Sequence, residues 1–213
     1  MRKLISIYGA SGLGREVLPL VREQYVSAQL CFVDDDPQGS ELNGYPIHSY
    51  KEYLDLPHTN KSVVFAIADS KIREALEFKC KQDNLAILPV QASNAIILDN
   101  VEIGEAALIC HFTQLTSNIK IGKQFHANIY SYVAHDCVIG DYVTFAPRVS
   151  CNGNVHIHDH AYIGAGAIIK QGTPEKPLII GKGAVVGMGA VVTKDVPAGA
   201  VVVGNPARPL HKA

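Results

Sequence analysis

The side chains best suited to proton transfer in this 213-residue chain are an adjacent histidine and aspartate, His135 and Asp136. A neutral imidazole can take a proton from an attacking amine or hydroxyl near physiological pH. A neighbouring carboxylate can fix the tautomer of that imidazole and stabilise its protonated form. The pair therefore predicts a general base, and the alternative is an exposed pair without a catalytic role.

A glycine-rich segment near the N-terminus has the composition of a phosphate-binding turn. Residues 9–14 (GASGLG) follow an apolar stretch, Leu4–Tyr8, and precede a helical pattern over residues 15–24. The first glycine permits a tight turn, small residues let backbone N–H groups approach a phosphate, and the helix N-terminus favours negative charge. Asp34 and Asp35 lie about twenty residues further on, where a carboxylate can accept hydrogen bonds from ribose hydroxyls or base N–H groups.

Two kinds of ligand fit this turn. One is a dinucleotide, as in an NAD-dependent dehydrogenase, and the other is a nucleotide attached to a substrate. Residues 1–90 alternate short strands and helices, which predicts a parallel sheet amounting to half of a dinucleotide-binding fold. No hydride-transfer residues follow, so we favour the substrate nucleotide. A turn that only shapes the fold is the third interpretation.

The second half of the chain repeats with a period of six. No helix has that period, and a free strand alternates with a period of two. Short strands joined by tight corners, three to a triangular coil, account for a period of six, and stacked coils bury a continuous apolar rod. We therefore predict a parallel β-helix, with an irregular β-sandwich as the alternative. The apolar residues of the repeat are Ile97, Ile103, Ile109, Leu115, Ile121, Ala127, Val133, Ile139, Phe145, Cys151, Ile157, Ile163, Ile169, Ile180, Val186 and Val192.

The repeat also predicts the orientation of the histidine. Val133 and Cys137 occupy inward positions, so His135 between them should project outward from the rod. Such a rod has flat faces and no deep cleft of its own, and by analogy with other rods of this type its ligands would lie in grooves between neighbouring copies. We therefore expect His135 to act at a groove between subunits.

Other residues that could bind a metal or act as nucleophiles are expected to be structural. His156, His158 and His160 alternate along one strand, but three ligands on one flat strand rarely converge on a metal, so we expect no metal. The five cysteines show no paired spacing and no secretion signal accompanies them, which predicts reduced thiols.

Net charge and the distribution of apolar residues indicate which partners and which compartment to expect. The formal net charge is −1, which does not suggest a nucleic acid or a membrane surface as a partner. No run of 18 apolar residues and no signal-peptide pattern is present, which favours the cytoplasm. We expect two domains, residues 1–90 and residues 91–213, with the segment from residue 196 onwards capping the last coil of the rod.

Three segments in this order carry a family resemblance. They are residues 9–14 together with FVDDD at 32–36, then HDCVIGDY followed by CNGNVHI, and finally IIGKGAVVGMGAVVTKDVPAGAVVVGNPARPL. The chain resembles bacterial nucleotide-sugar acyltransferases of the NeuD/PglD type, in the hexapeptide-repeat superfamily. The resemblance covers nearly the whole chain. It implies an α/β, half-Rossmann nucleotide-sugar-binding domain followed by a left-handed parallel β-helix.

The resemblance also implies an activity. It is acetyl transfer from acetyl-CoA to the 4-amino group of a nucleotide-linked 4-amino-4,6-dideoxy sugar, UDP-linked and of the bacillosamine type, for a surface glycan such as O-antigen or for a glycoprotein. His135 matches the general base of the family, and Asp136 matches the acidic residue beside it. The family's nucleotide-sugar contacts match Ser11, Gly12, Leu13, Asp34, Asp35, Ala68 and Asn128, and its acetyl-CoA contacts match Thr144, Ala165 and Met188.

We expect direct transfer without an acyl-enzyme in a homotrimer, because an amine already attacks a thioester well. Lysines near the C-terminal end of the rod are candidates for the CoA phosphates, and the five-residue break at Thr173–Pro177 could form one lip of the groove. Two alternatives stay open: a sugar O-acetyltransferase of the sialic-acid type, and a non-catalytic nucleotide-sugar-binding protein. The candidate lysines are Lys170, Lys176, Lys182 and Lys194.

Overall fold

The computed structural model describes residues 3–210, and the chain divides into two compact units after Val90. The first unit packs helices against a sheet, and the second consists of short β-strands. Each unit has its own apolar core.

The first unit alternates strands and helices around a six-stranded sheet. The strand order is β3-β4-β2-β1-β5-β6, and only β3 and β4 pair antiparallel. Strand β1, which the sequence predicts at the same residues, is buried along its whole length. The elements are β1 (Leu4–Tyr8), α1 (Gly12–Gln24), β2 (Gln29–Val33), β3 (Glu41–Leu42), β4 (Tyr45–His48), α2 (Tyr50–Asp55), β5 (Lys61–Phe65), α3 (Ser70–Gln82) and β6 (Ala86–Ile87).

Helix α3 differs from its sequence pattern at one turn. The apolar spacing predicts one buried face made of Ile72, Ala75, Leu76 and Cys80. Leu76 and Cys80 are buried, but Ile72 and Ala75 are exposed. The neighbouring Arg73 is fully buried instead, and its Nη1 donates hydrogen bonds to the carbonyls of Ile67 (2.9 Å) and Ala68 (2.8 Å). These two carbonyls belong to the segment that follows strand β5. The buried guanidinium donates hydrogen bonds to them, which no apolar side chain could do.

The second unit is a parallel β-helix whose strands form three sheets. The sheets run β25-β24-β22-β19-β16-β13-β10-β7, β23-β20-β17-β14-β11-β8 and β21-β18-β15-β12-β9. The strands are β7 (Val90–Gln91), β8 (Ile96–Ile97), β9 (Val101–Ile103), β10 (Leu108–Ile109), β11 (Gln114–Leu115), β12 (Ile119–Ile121), β13 (His126–Ala127), β14 (Tyr132–Val133), β15 (Val138–Ile139), β16 (Thr144–Phe145), β17 (Ser150–Cys151), β18 (Val155–Ile157), β19 (Tyr162–Ile163), β20 (Ile168–Ile169), β21 (Leu178–Ile180), β22 (Val185–Val186), β23 (Val191–Val192), β24 (Val201–Val203) and β25 (Arg208–Pro209).

Neighbouring coils are in register with a separation of 18 residues, which is three hexapeptides. Gln114 pairs with both Ile96 and Tyr132 in this way. Across the five-residue break the separation becomes 23, as between Val155 and Leu178, so the break is accommodated without loss of pairing. All sixteen residues of the predicted apolar repeat belong to, or pack against, one core cluster.

The corners of the coils have a repeating backbone conformation. At every sixth residue the backbone is left-handed, with φ between 54° and 61°, a region that asparagine and aspartate tolerate better than most residues. The small residues that follow the inward positions are explained by close contact between coils and not by a left-handed backbone. A Cβ on Gly104 would lie 2.5 Å from the carbonyl carbon of Gly122 in the next coil. The left-handed corner residues are Asn100, Ala106, Phe112, Asn118, Gln124, Tyr130, Asp136, Tyr142, Arg148, Asn154 and His160.

The C-terminal segment closes the last coil. Strand β25 pairs antiparallel with β24, whereas the strands within the coils pair parallel. The predicted α/β domain and left-handed parallel β-helix are confirmed. In the described part of the chain the longest helices, α1 and α3, have 13 residues, and none is long and apolar enough to cross a membrane.

Candidate active site

His135 and Asp136 lie at the corner between β14 and β15, and the imidazole points out of the rod as the sequence predicts. The imidazole Nδ1 is 2.7 Å from Oδ2 of Asp136. Both side chains are about half exposed, at 49% and 46%. Since Nδ1 faces the carboxylate, Nε2 is the ring nitrogen left to face a ligand. A neutral ring with its proton on Nδ1 has its acceptor lone pair on Nε2, as a general base requires.

Two asparagines in the preceding coils lie behind this pair. Asn118 Nδ2 is 3.4 Å from the second carboxylate oxygen of Asp136, and Asn100 Nδ2 donates to Asn118 Oδ1 at 3.1 Å. All three are left-handed corner residues spaced 18 apart. The amides orient the Asp136 carboxylate toward His135. The spacing of 18 is visible in the sequence, but residue type alone did not identify the two asparagines as partners of Asp136.

A glycine lies against the face of the imidazole from the following coil. A Cβ on Gly153 would lie 2.5 Å from Cε1 and 2.6 Å from Nε2 of His135. Gly153 follows His135 by 18 residues, so the two occupy the same corner in consecutive coils. Nothing in the sequence analysis singled it out.

The glycine turn of the first unit is held by steric contacts and by Asp34. Gly9 has a φ of +112°, and a Cβ on Gly14 would overlap the carbonyl of Gly9. Asp34 Oδ2 accepts the backbone N–H of Ala10 at 2.9 Å, and Oδ1 accepts that of Asp36 at 3.0 Å. Both oxygens of this carboxylate therefore bind backbone and fix the turn against the end of β2.

Asp35 is more open than Asp34. Its Oδ2 accepts a hydrogen bond from the Tyr8 hydroxyl at 2.7 Å, and Lys79 Nζ lies 3.9 Å from its Oδ1. Its side chain is 58% exposed. Burial, and then the hydrogen bond to Asp35, raise the pKa of Tyr8 well above its usual value, so Tyr8 remains a donor at physiological pH. Asp35 is thus the member of the acidic pair that a ligand can reach.

The remaining predicted nucleotide contacts meet at one edge of the sheet. Strand β1 pairs with both β2 and β5, so the segments after these three strands are neighbours. Ser11, Gly12 and Ala68 are exposed there, and Leu13 is half-buried. Ser11 does not cap α1 with its side chain, in contrast to Ser49 and Asp69 at the other two helices. The start of α1 thus lacks the side-chain acceptor that caps the others.

The predicted acetyl-CoA and sugar contacts of the rod lie at another corner. Asn128, Ala165 and Met188 follow β13, β19 and β22 of the same sheet, and Thr144 lies in β16 of that sheet. Met188 is 82% exposed, whereas Thr144 is buried. Within one chain these residues are at the far end of β14 from His135 and Asp136. One chain therefore does not bring the two groups together.

The five-residue break forms one side of a cavity of about 580 Å³. Lys170, Lys176 and Lys194 line it, together with the residues around Gln171. Gln171 follows Gly153 by 18 residues, so the cavity lies on the same edge of the rod as His135, in later coils. The fourth candidate lysine, Lys182, is not among the lining residues and pairs with Asp159 at 3.3 Å.

The other histidines and the cysteines form no metal site in the described residues. Within residues 3–210 no three His, Cys, Asp or Glu side chains are grouped so that they could hold a metal ion. His160 stacks on Tyr142 with ring centroids 5.0 Å apart. None of the five cysteines in the described residues forms a disulfide, all five are buried, and burial raises the pKa of Cys31 to about 12.

Comparison with known proteins agrees with this architecture. Residues 4–77 match the PglD N-terminal domain. The chain is 47% identical to GDP-perosamine N-acetyltransferase of Escherichia coli O157:H7, over 99% of this chain and 97% of that protein. Among solved structures, WeeI from Acinetobacter baumannii AYE is 64% identical with a TM-score of 0.96, over 98% of this chain and 100% of that one. The acetyltransferase domain of PglB from Neisseria gonorrhoeae FA1090, solved with acetyl coenzyme A, shares the fold at 24% identity with a TM-score of 0.88, over 99% of this chain and 100% of that one.

The fold and the exposed histidine–aspartate corner define a hexapeptide-repeat acyltransferase. Within that class, the chain belongs to the NeuD/PglD-type family of nucleotide-sugar acyltransferases. The predicted family is confirmed, and the protein is an N-acetyltransferase, as expected.

The two aspartates of the first unit should differ in their effect on stability. Asp34→Ala removes two hydrogen bonds from backbone N–H groups to a carboxylate, and we expect it to lower the free energy of unfolding by about 1.5–3 kcal/mol. Asp35→Ala removes one hydrogen bond from the Tyr8 hydroxyl and a weak exposed contact with Lys79, and should cost about 1 kcal/mol. Urea unfolding of both variants measures this difference. Equal losses would contradict the assignment of Asp34 to the turn.

Proposed function

We propose that the protein transfers an acetyl group from acetyl-CoA to the 4-amino group of a UDP-linked 4-amino-4,6-dideoxy sugar of the bacillosamine type. The observation that carries this proposal is the imidazole of His135, held at Nδ1 by Asp136 with Nε2 facing outward at an open corner. The product would enter a surface glycan such as O-antigen, or a glycoprotein.

The chemistry needs one base and one oxyanion donor. Nε2 of His135 removes a proton from the sugar amine as its nitrogen attacks the thioester carbonyl carbon. The tetrahedral intermediate then collapses, the carbon–sulfur bond breaks, and the imidazolium returns the proton to the CoA thiolate. Asp136 stabilises the imidazolium while it exists. The backbone N–H of Gly153 is the candidate oxyanion donor, because it lies at this corner and donates no hydrogen bond within the described residues.

Asp35 is the proposed contact to the base. Its carboxylate is exposed at the end of β2, where it can accept an N–H donor of uracil or of guanine. Its Oδ2 also accepts the Tyr8 hydroxyl, which fixes the orientation of the carboxylate. The turn at Ser11–Leu13 and the backbone of Ala68 would hold the phosphates and ribose at the same edge of the sheet.

A GDP-linked amino sugar is the second candidate. The relative in Escherichia coli O157:H7 that is 47% identical over almost the whole chain is named GDP-perosamine N-acetyltransferase. Both candidates share the chemistry at His135 and differ only in what the first unit binds.

We propose a homotrimer because the site of one chain is incomplete. His135 and Asp136 lie at one corner of the coil, and the predicted contacts Asn128, Ala165 and Met188 lie at another. A second copy can place its own corner beside His135 and so complete a groove. Exposed apolar side chains at that second corner support this assembly: Met188, and Phe112 stacked on Tyr130 with ring centroids 4.8 Å apart.

The lysine-lined cavity suits the phosphates of acetyl-CoA. One coil rises about 4.8 Å, so the coils of Gln171 and Lys194 lie about 10–15 Å along the edge from His135. An extended pantetheine arm with its thioester at His135 can span this distance. Acetyl-CoA, nucleotide sugars and five cysteines that form no disulfide are all consistent with the cytoplasm as the compartment.

An assay with a panel of acceptors tests the activity and the base. We expect CoA release, followed with a thiol reagent, to be fastest with the UDP-linked 4-amino sugar and slower with GDP- and dTDP-linked ones. His135→Ala should lower kcat by about 10²–10⁴-fold, since it removes the base. Asp136→Asn should lower kcat with little change in KM. The matched control is His158→Ala, an exposed histidine on the same rod.

Each other outcome of the panel has a defined meaning. Release only with GDP-perosamine would replace the uridine assignment by the second candidate. Release with sialic acid but with no amine would favour the O-acetyltransferase alternative. Nucleotide-sugar binding by calorimetry without any thiol release would leave the non-catalytic alternative and refute the proposed enzyme.

The subunit arrangement is measured by light scattering coupled to size exclusion. We expect a mass of three chains, because one chain separates the two halves of the site. Met188→Glu places a charge on the exposed corner and should shift the mass toward one chain and abolish activity together. An active monomer would contradict the shared site.

The lysine cavity is tested through KM. The combined variant Lys170→Ala, Lys176→Ala and Lys194→Ala should raise the KM for acetyl-CoA about tenfold and leave the KM for the nucleotide sugar unchanged, because three cations are lost. The loss should shrink at high salt and with 3′-dephospho-acetyl-CoA as donor. Lys182→Ala is the matched control. An unchanged KM for acetyl-CoA in the combined variant would exclude this cavity as the phosphate site.

A further inference from the structure

The contact between Gly153 and His135 involves one side chain alone, whereas a Cβ at most other glycines of the rod would also meet backbone atoms. A Cβ at Gly104 would meet backbone atoms of the next coil, as would one at Gly164. At Gly153 the three nearest atoms are all ring atoms of His135: Cε1 at 2.5 Å, Nε2 at 2.6 Å and Nδ1 at 3.0 Å. Ordinary contact of a Cβ begins near 3.4 Å. A methyl group at residue 153 and the observed imidazole therefore cannot coexist.

The backbone at this corner is held from several sides. Asn154 donates its N–H to the His135 carbonyl at 3.0 Å, and the Gly153 carbonyl accepts the N–H of Gly172 at 3.0 Å. The Asn152 side chain donates to the Ile169 carbonyl at 2.8 Å. Because the main chain is fixed on both sides of Gly153, it cannot withdraw from the ring. The imidazole, which is half exposed, can move outward.

We propose that Gly153 is a positioning residue for His135. Its missing side chain lets the imidazole lie flat against the next coil, where Nδ1 meets Asp136 and Nε2 keeps one fixed position. A Cβ would push the ring outward by about 1 Å, and a misplacement of this size in a catalytic group can cost about 10²-fold in rate. This inference rests on the proposed role of His135 as the base.

Gly153 has two proposed roles, positioning the imidazole and donating its N–H to the oxyanion, and a substitution can test them separately. Alanine keeps the backbone N–H that is the candidate oxyanion donor, so Gly153→Ala changes the space under the ring and not the donor. The pattern expected of Gly153→Ala is therefore specific: the ring moves, the fold survives and kcat falls.

Kinetics and unfolding of two glycine variants test this. Gly153→Ala should lower kcat about 10²-fold, change the KM values of both substrates by less than about threefold, and leave the thermal midpoint nearly unchanged, because a half-exposed side chain yields. Gly104→Ala is the matched control, since its Cβ meets backbone. It should lower the thermal midpoint and keep the kcat of the folded fraction.

A double-mutant cycle and a spectroscopic measurement identify the ring as the affected group. In a His135→Ala background, Gly153→Ala should have no further effect on the residual rate, because the ring it displaces is absent. In the ligand-free protein, the NMR resonance of His135 Cε1–H should shift in Gly153→Ala, whereas that of His158 should not. The free protein is used so that a clash with substrate cannot produce the shift.

The outcomes separate this inference from the proposed function. If His135→Ala is inactive while Gly153→Ala has full kcat and an unshifted resonance, the positioning role is refuted and the base assignment stands. If His135→Ala retains full activity, the base assignment itself fails. A loss of kcat in Gly153→Ala that persists unchanged in the His135→Ala background would also refute the positioning role.

Discussion

The vertical register of the β-helix is the constraint on which the candidate site depends. Parallel pairing across coils fixes residues 18 apart at the same corner, about 4.8 Å from one another. Asn118 therefore reaches Asp136 from the coil before, Asp136 flanks His135 at the same corner, and Gly153 reaches His135 from the coil after. The site is a column of corner positions rather than a pocket built from loops. A slip of one residue in the pairing between these coils would move Asn118 away from Asp136 and Gly153 away from His135.

The period of six made most of the rod predictable. It located the strands and the inward residues, and the outward direction of His135 followed from Val133 and Cys137 on either side. Strand β1 was equally clear because it is a short apolar run before a glycine turn. Helix α3 was less predictable. Its apolar spacing placed Ile72 inside, but in the structure the carbonyls of the two residues after β5 accept hydrogen bonds from the buried guanidinium of Arg73 instead.

The chemistry of the site was predictable where it depends only on which types of residue are present. An adjacent histidine and aspartate are visible in sequence, and so is a glycine turn followed by acidic residues. What a residue binds is not visible. Asp34 and Asp35 have the same side chain, yet one holds backbone and the other faces solvent. Gly153 was not predicted, because it contributes by having no side chain. That matters only because the His135 ring occupies the space that a Cβ would fill.

The antiparallel pairing of β25 with β24 has a consequence for the association of the protein with other molecules. A stack of parallel coils has no intrinsic end, because its last coil leaves one backbone edge unpaired. Strands from other molecules can pair with such an edge and form a fibre. Strand β25 covers the edge of β24, the last parallel strand of one of the three sheets, in the opposite direction, and it includes Pro209, which has no N–H to offer. The antiparallel strand therefore protects this sheet against edge-to-edge pairing with another molecule.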